Sequence, residues 1–211
     1  SPEIDFSLEE IETNSSASSS RKKQAGNYED FYFNYGLSYD LRNSSYKPTA
    51  GSNTYFYQEL PIVSGNNEIA NTLIYTRYKS LNDSSDMVGK ASLYFKAINS
   101  IDGSDVRISK RGQVPYNRLR GFQKGKVGPK DSSDYIGGNY ISTLNLSTNL
   151  PTLLRNVENV DFSYFIDIAN VWGVDYDSSI DDSNVIRSST GLGLDLLTPI
   201  GPLSFSLSQP L

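Results

Sequence analysis

The stretch DFYFNYGLSYD, residues 30–40, alternates apolar side chains with small or polar ones along its whole length. The apolar side chains occupy every second residue, so they share one face of an extended strand. That face carries Phe31, Phe33, Tyr35, Leu37 and Tyr39. The opposite face carries Tyr32, Asn34, Gly36 and Ser38. A period of two sustained over this length predicts a β-strand with one apolar face.

The same alternation recurs in four segments further along the chain. They are residues 90–98, 160–169, 186–196 and 203–208. Three more segments are strand-like with less distinct faces: residues 53–60, 68–79 and 140–148. Clusters of Pro, Gly, Asn and Ser separate the segments, and none has the period of an amphipathic helix. The pattern predicts an all-β fold of roughly eight strands, long enough to cross a bilayer at a tilt.

The composition excludes several kinds of chemistry. The 211 residues include 15 Tyr and 9 Phe but no Cys and no His. Zinc and haem sites of the usual Cys/His kind, a Ser-His-Asp triad and a Cys nucleophile are therefore impossible. The net charge of −5 argues against a general nucleic-acid binder. No motif singles out carboxylates or a Ser-Lys pair for catalysis, so we expect no enzymatic activity and no cofactor.

The polar faces help to separate two all-β architectures. A soluble β-sandwich buries its apolar faces and exposes polar faces that are rich in Lys and Glu. Here the polar faces consist mostly of Ser, Gly and Asn. Aromatic residues near strand ends resemble an interfacial girdle: Tyr28, Tyr39, Tyr46, Tyr55, Tyr57 and Trp172. These features favour the wall of a transmembrane antiparallel β-barrel, with a soluble β-sandwich binding module as the alternative.

A long basic loop interrupts the strands between about residues 102 and 137. Residues 106–130 contain no acid and carry Arg107, Lys110, Arg111, Arg118, Arg120, Lys124, Lys126 and Lys130. The loop could fill a lumen whose wall supplies acids from the polar strand faces, namely Asp161, Asp167 and Asp195. It could instead contact nucleic acid or lipopolysaccharide, or lie solvated at the surface.

Three acidic clusters raise the question of a metal site. Residues 83–86, 131–134 and 175–183 combine Asp with Ser, whose oxygen atoms could bind calcium. Their spacing does not match an EF-hand loop, and hydrated loops of this composition are far commoner. We therefore expect no metal site.

Five motifs occur in a fixed order in the second half of the chain. They are RGFQKGKVGPK (120–130), IGGN (136–139), FIDIANVW (165–172), IRSSTGLGL (186–194) and TPIGPLSFSLSQP (198–210). With the strands before them, they resemble the C-terminal part of the barrel of the BamA family of bacterial outer-membrane protein assembly factors. The resemblance covers about residues 27–211, and the ordered set of motifs is more specific than RGF alone.

The resemblance implies a division of the chain and a functional site. Residues 1–26 would form a loop or incomplete strand, and residues 27–211 about half of a barrel that stops before its closing strand. The long loop would fold into the lumen, with Arg120, Gly121 and Phe122 at its tip and Asp167 as the wall counter-charge. The family often has a second wall acid, and the resemblance places Ser147 at its position here.

The resemblance also implies the function. We expect assembly and insertion of β-barrel proteins in the bacterial outer membrane, without catalysis. The implied partners are unfolded β-barrel clients, accessory lipoproteins, and the lipid bilayer with its lipopolysaccharide, but no nucleic acid. A sister translocation pore of the same superfamily, which exports a passenger protein by two-partner secretion, would share the loop and remains an alternative.

Overall fold

The computed structural model describes residues 2–65, 67–84, 86–151, 160–174, 180 and 185–211. Nine antiparallel strands form one sheet in the order β1-β2-β3-β4-β5-β8-β9-β10-β11, and β6 pairs with β7 in a separate hairpin. The strands are β1 (Pro2–Ile11), β2 (Gly26–Asp40), β3 (Gly51–Val63), β4 (Glu68–Ser80), β5 (Val88–Ser100), β6 (Lys130–Asp131), β7 (Asp134–Tyr135), β8 (Tyr140–Asn149), β9 (Val160–Trp172), β10 (Arg187–Thr198) and β11 (Gly201–Pro210). A four-residue helix, α1 (Ser19–Lys22), lies between β1 and β2. No helix in the described ranges is long and apolar enough to cross a membrane.

The sheet is a meander in which each strand pairs with its neighbour along the chain, apart from the excursion through β6 and β7. Strands β1 and β11 are its edges and are not paired with each other, so the sheet does not close on itself. The fold is therefore all-β and antiparallel, as the sequence predicts, and has the form of an incomplete barrel.

In a soluble protein the apolar face of a sheet is buried and its polar face is exposed. In this sheet the apolar face is exposed and the polar face is buried. On the apolar face, Leu37 is 62% exposed and Leu93 is 51% exposed. On the polar face, Asn34 is 4% exposed and Asp167 is fully buried. An apolar outer face and a polar inner face are expected of a barrel wall in lipid and not of a sandwich, whose apolar faces pack together.

Strand β1 lies within residues 1–26, for which the sequence predicts a loop or incomplete strand. Ten residues from Pro2 to Ile11 pair with β2 along their whole length. The apolar side chains of Ile4, Phe6 and Leu8 alternate with polar ones and are exposed on the outer face. An alternation of only three apolar residues among acids is weak evidence for a strand in the sequence alone. The strand becomes evident from its pairing with β2.

Three of the aromatic residues assigned to an interfacial girdle face inward instead: Tyr28, Tyr55 and Tyr57. Tyr55 and Tyr57 of β3 lie opposite Ser38 and Gly36, which are on the inner face of β2, so both tyrosines lie on the inner face of the sheet. Directly opposed residues of an antiparallel pair project to the same side. Position near a strand end is therefore not sufficient to place an aromatic side chain at the membrane interface, because the register decides its face.

We expect a cation on the outer face to destabilise the folded protein in a bilayer. Leu93 lies mid-strand on that face, so Leu93→Lys should cost about 2–4 kcal/mol of unfolding free energy. Ser206→Lys, on the inner face of β11 opposite Gly193, should cost far less. Urea unfolding of the full-length protein from phospholipid vesicles measures both changes. Equal costs would contradict the assignment of the faces.

Candidate functional site

The long loop, residues 101–139, lies against the inner face of the sheet. Its side chains Leu119 and Val127 pack with Ile141 of β8 and with Ala169 and Val171 of β9 in a small buried apolar cluster. The backbone N–H of Gly112 donates to the Gly138 carbonyl at 2.8 Å, and the return bond is 3.0 Å long. These contacts give the loop a fixed path without regular strands along most of its length.

Arg120 of the loop forms a bidentate ion pair with Asp167 of β9. Its Nε donates to Oδ2 at 2.7 Å, and its Nη2 donates to Oδ1 at 2.8 Å. The backbone N–H of Arg120 also donates to Oδ2 at 3.1 Å. The planar guanidinium matches the two carboxylate oxygens, which makes this kind of pair both strong and directional. The structure thus brings together the two residues that the sequence analysis paired.

The ring of Phe165 packs against the flat face of the Arg120 guanidinium. Phe165 was not among the site residues predicted from the sequence. The guanidinium carbon of Arg120 lies 3.2 Å from the centroid of the Phe165 ring, and Phe165 is fully buried. Gly191 of β10 leaves room for that ring, because a Cβ atom there would lie 2.7 Å from Phe165 Cζ. The signal in the sequence was an aromatic residue on an otherwise polar strand face.

Asn145 of β8 completes this cluster, and the sequence analysis did not assign it to the site. Asn145 lies directly opposite Asp167, whereas Ser147 lies opposite Phe165. The Asn145 Nδ2 donates to Asp167 Oδ1 at 2.8 Å and to the Arg118 carbonyl at 2.7 Å. We call Arg120 with Asp167, Phe165 and Asn145 the tip anchor. The side chain next to the wall acid is thus a neutral donor.

The other two tip residues make contacts of different kinds. Gly121 has a φ of +89°, and a Cβ atom there would lie 3.1 Å from the Ser208 Oγ of β11. Glycine therefore suits this position both by its backbone conformation and by its small size. Phe122 packs against the apolar cluster beneath the loop. The tip consequently contacts the inner face of β11, which is an edge strand of the sheet.

Two of the three wall acids proposed from the sequence do not bind the loop in the described part of the chain. Asp161 pairs with Lys47 at 2.8 Å, and Asp195 accepts a hydrogen bond from Ser204 Oγ at 2.5 Å. Both acids line a cavity of about 760 Å³ together with Arg118 and Arg120. The cavity lies against the tip anchor and has side chains of both charges in its walls.

The distal part of the loop docks on α1. The backbone N–H of Ser20 donates to Asp131 at 2.8 Å, and that of Ser18 donates to Asp134 at 3.1 Å. These hydrogen bonds hold the pKa of each carboxyl below its usual value. No cluster of three or more metal-ligating side chains occurs among the described residues. The acidic segment 175–183 lies outside them, apart from Ile180.

The basic side chains of the loop divide into two groups. The first group is buried or ion-paired with the wall and includes Arg107, Arg111 and the tip-anchor residue Arg120. The second group is exposed and consists of Lys124, Lys126 and Lys130. Lys126 and Lys130 both lie over the Tyr135 ring, at 5.3 Å and 4.7 Å from its centroid. The description of a cationic loop inside a polar wall thus fits the arginines and Lys110, which lies 3.5 Å from Asp30, and that of a solvated loop fits the last three lysines.

Comparisons with known proteins agree with the all-β fold. The sequence profile of the Omp85 superfamily domain matches residues 3–211. The outer membrane protein assembly factor BamA of Neorickettsia risticii (strain Illinois) is 27% identical over 129 residues, which are 60% of this chain and 18% of that protein. The crystal structure of BamA from Haemophilus ducreyi lacking POTRA domains 1-3 matches with a TM-score of 0.78 at 29% identity. That match covers 88% of this chain and 40% of the other, so the chain spans less than half the length of these two relatives.

Removal of the tip-anchor charge should release the loop. Arg120→Ala leaves the Asp167 carboxylate buried without its cation, at a cost on the order of 3–5 kcal/mol. Lys124→Ala and Lys126→Ala remove exposed charges and should cost less than about 1 kcal/mol each. Limited trypsin digestion of the folded protein, with cleavage after Arg118 as the readout, compares the three variants. Equal protection in all of them would show that Arg120 does not hold the tip.

Asn145→Leu should loosen the tip while leaving the ion pair chemically intact. The substitution keeps the approximate volume but removes the two donated hydrogen bonds, so the Arg118 carbonyl loses its partner on β8. An unsatisfied buried acceptor costs about 1–3 kcal/mol. Ser147→Ala, two residues away on the same face, is the matched control. Hydrogen exchange of the Arg120 amide should speed up in the first variant and remain unchanged in the second.

Proposed function

Since the chain belongs to the Omp85 superfamily, we propose that it forms part of a factor that assembles and inserts β-barrel proteins into the outer membrane. It is an outer-membrane protein of BamA-like fold. The expected partners are unfolded β-barrel clients and accessory lipoproteins, with the bilayer and its lipopolysaccharide around the wall. The observation that carries the proposal is the Arg120–Asp167 pair, which fixes a loop inside a sheet whose outer face is apolar.

The mechanism follows from backbone hydrogen bonding and requires no reaction. A client strand in lipid must pair all its N–H and C=O groups, because unpaired groups cost several kcal/mol in hydrocarbon. An edge strand offers a complementary row of these groups, so a client can add to it by β-augmentation. The wall would act as a template, and the driving force would be strand pairing and burial of the client's apolar face in lipid.

The loop would keep this template in shape. Its tip connects the neighbouring strands β8 and β9 through Asn145 and Asp167 and reaches β11 at Ser208. A side chain that binds several strands at once restricts their relative movement, since each bond is lost when one strand shifts. We therefore assign the tip anchor the role of holding the inner wall in the arrangement that a client meets.

Insertion of a client by the full-length protein tests the proposal. In vesicles that contain the protein, folding of an eight-stranded barrel client should slow by about tenfold or more in Arg120→Ala and Asp167→Ala, which corresponds to about 1.4 kcal/mol in the barrier. Lys124→Ala should leave the rate unchanged. Gel mobility of the unheated client measures its folding.

A translocation pore of the same superfamily is the competing function. It would pass a soluble passenger into the vesicles and would leave the folding rate of the barrel client at its value in empty vesicles. Protection of the passenger from added protease detects that result. Passenger transfer without client insertion would replace the assembly proposal by the pore.

A further inference from the structure

A second arginine of the long loop, Arg107, contacts strands of the wall other than those that the tip anchor contacts. Arg107 is fully buried, and its guanidinium forms an ion pair with the Asp30 carboxylate of β2, which is also buried. Glu9 of β1 lies 3.4 Å from Arg107 Nη1, and Glu68 of β4 lies 3.9 Å from Nη2. The Arg107 guanidinium carbon stacks 4.2 Å from the centroid of the Tyr28 ring. Three strands and an aromatic ring thus surround one cation.

The backbone on both sides of Arg107 is held as well. The side-chain amide of Gln24 accepts from the Ile108 N–H at 2.6 Å and donates to the Val106 carbonyl at 3.4 Å. Val106 is fully buried in an apolar cluster with Ala70 of β4 and Ile98 of β5. Arg107 is therefore placed by its neighbours, and its position does not depend on its charge alone.

Neighbouring polar groups strengthen the site. Ser64 Oγ donates to Asp30 Oδ1 at 2.8 Å, and Lys110 Nζ lies 3.5 Å from Asp30 Oδ2. Ser109 Oγ donates to Glu9 at 2.8 Å. Asp30 is the main partner, because its carboxylate contacts the guanidinium directly, whereas the Glu68 carboxylate lies 3.9 Å from Nη2.

We propose that Arg107 with Asp30, Glu9, Glu68 and Tyr28 is a second anchor of the long loop, independent of the tip anchor. We call it the amino-terminal anchor. It binds β1, β2 and β4, whereas the tip anchor binds β8 and β9, so the two sets share no strand. The loop is consequently a strap across the inner face, fixed at residue 107 to one part of the sheet and at residue 120 to another.

The two anchors suggest how the loop contributes to the proposed function, and only their expected effect on client insertion rests on that function. A strap fixed at both ends limits how far the two groups of strands can separate, and so limits changes in the curvature of the wall. Loss of either anchor should slow client insertion if wall curvature matters for it. The existence of the amino-terminal anchor can be tested without any insertion assay, so failure of one proposal is distinguishable from failure of the other.

Limited proteolysis of the full-length folded protein tests the anchor. The loop carries trypsin sites next to each anchor, at Lys110 and Arg111 for the first and at Arg118 and Arg120 for the second. Asp30→Asn keeps the shape of the carboxylate and every trypsin site but removes its charge. Cleavage after Lys110 and Arg111 should rise by about tenfold, as the population of the open loop rises. Cleavage after Arg118 and Arg120 should stay at the wild-type rate.

Three further variants complete the design. Arg107→Gln should reproduce the result of Asp30→Asn, and Glu68→Gln should have a smaller effect because Glu68 is the more distant acid. Asp167→Asn should give the reverse pattern, with cleavage at Arg118 and Arg120 and protection at Lys110 and Arg111. Heat-modifiable gel mobility verifies that each variant is folded. Should Arg107→Gln fail that check, the isosteric Asp30→Asn decides the question.

Two outcomes would overturn the proposal. If Asp30→Asn leaves Lys110 and Arg111 as protected as in the wild type, the ion pair does not hold this part of the loop. If Asp30→Asn and Asp167→Asn each open all four sites together, the loop has one cooperative attachment and the anchors are not independent. Opening confined to the sites beside the altered acid supports two anchors.

Discussion

The polar groups that are buried on the inner face of the sheet need hydrogen-bond partners within the protein, and the rest of the structure depends on this constraint. The apolar side chains of the strands point outward, so they cannot form the core that normally holds a sheet in shape. The long loop takes the place of that core. It brings two arginines and a series of backbone donors and acceptors to the buried side chains of the wall, and it adds only small apolar clusters around Leu119 and Val106.

Arginine suits this role for reasons that lysine does not share. Burial of two charges is costly unless the geometry is good and the remaining hydrogen-bonding groups are occupied. At Asp167, the guanidinium meets both carboxylate oxygens while its flat face rests on Phe165. At Asp30, the same kind of group is stacked on Tyr28. A lysine ammonium can neither pair in this bidentate way nor stack as a plane.

The sequence predicts the parts of this structure that depend on periodicity or on a local motif. Alternation places Asp167 on the polar face of its strand, and the family resemblance that the RGF motif helps to carry implies the arginine that it meets. Asn145 could not be found in the same way, because strand register decides which residue of β8 lies opposite Asp167. A shift of two residues keeps the same face, so periodicity alone cannot distinguish Asn145 from Ser147. The Arg107–Asp30 pair joins residues 77 positions apart, and no local pattern contains that information.

The two anchors differ in their access to water, which sets an order of release for the loop. The Arg107 side chain is fully buried, whereas the Arg120 side chain is 26% exposed. Water lowers the attraction between opposite charges and replaces a broken hydrogen bond, so an anchor that water reaches is the easier one to open. Arg120 should therefore leave Asp167 more readily than Arg107 leaves Asp30. The segment that contacts the edge strand β11 is then also the segment with the weaker hold on the wall.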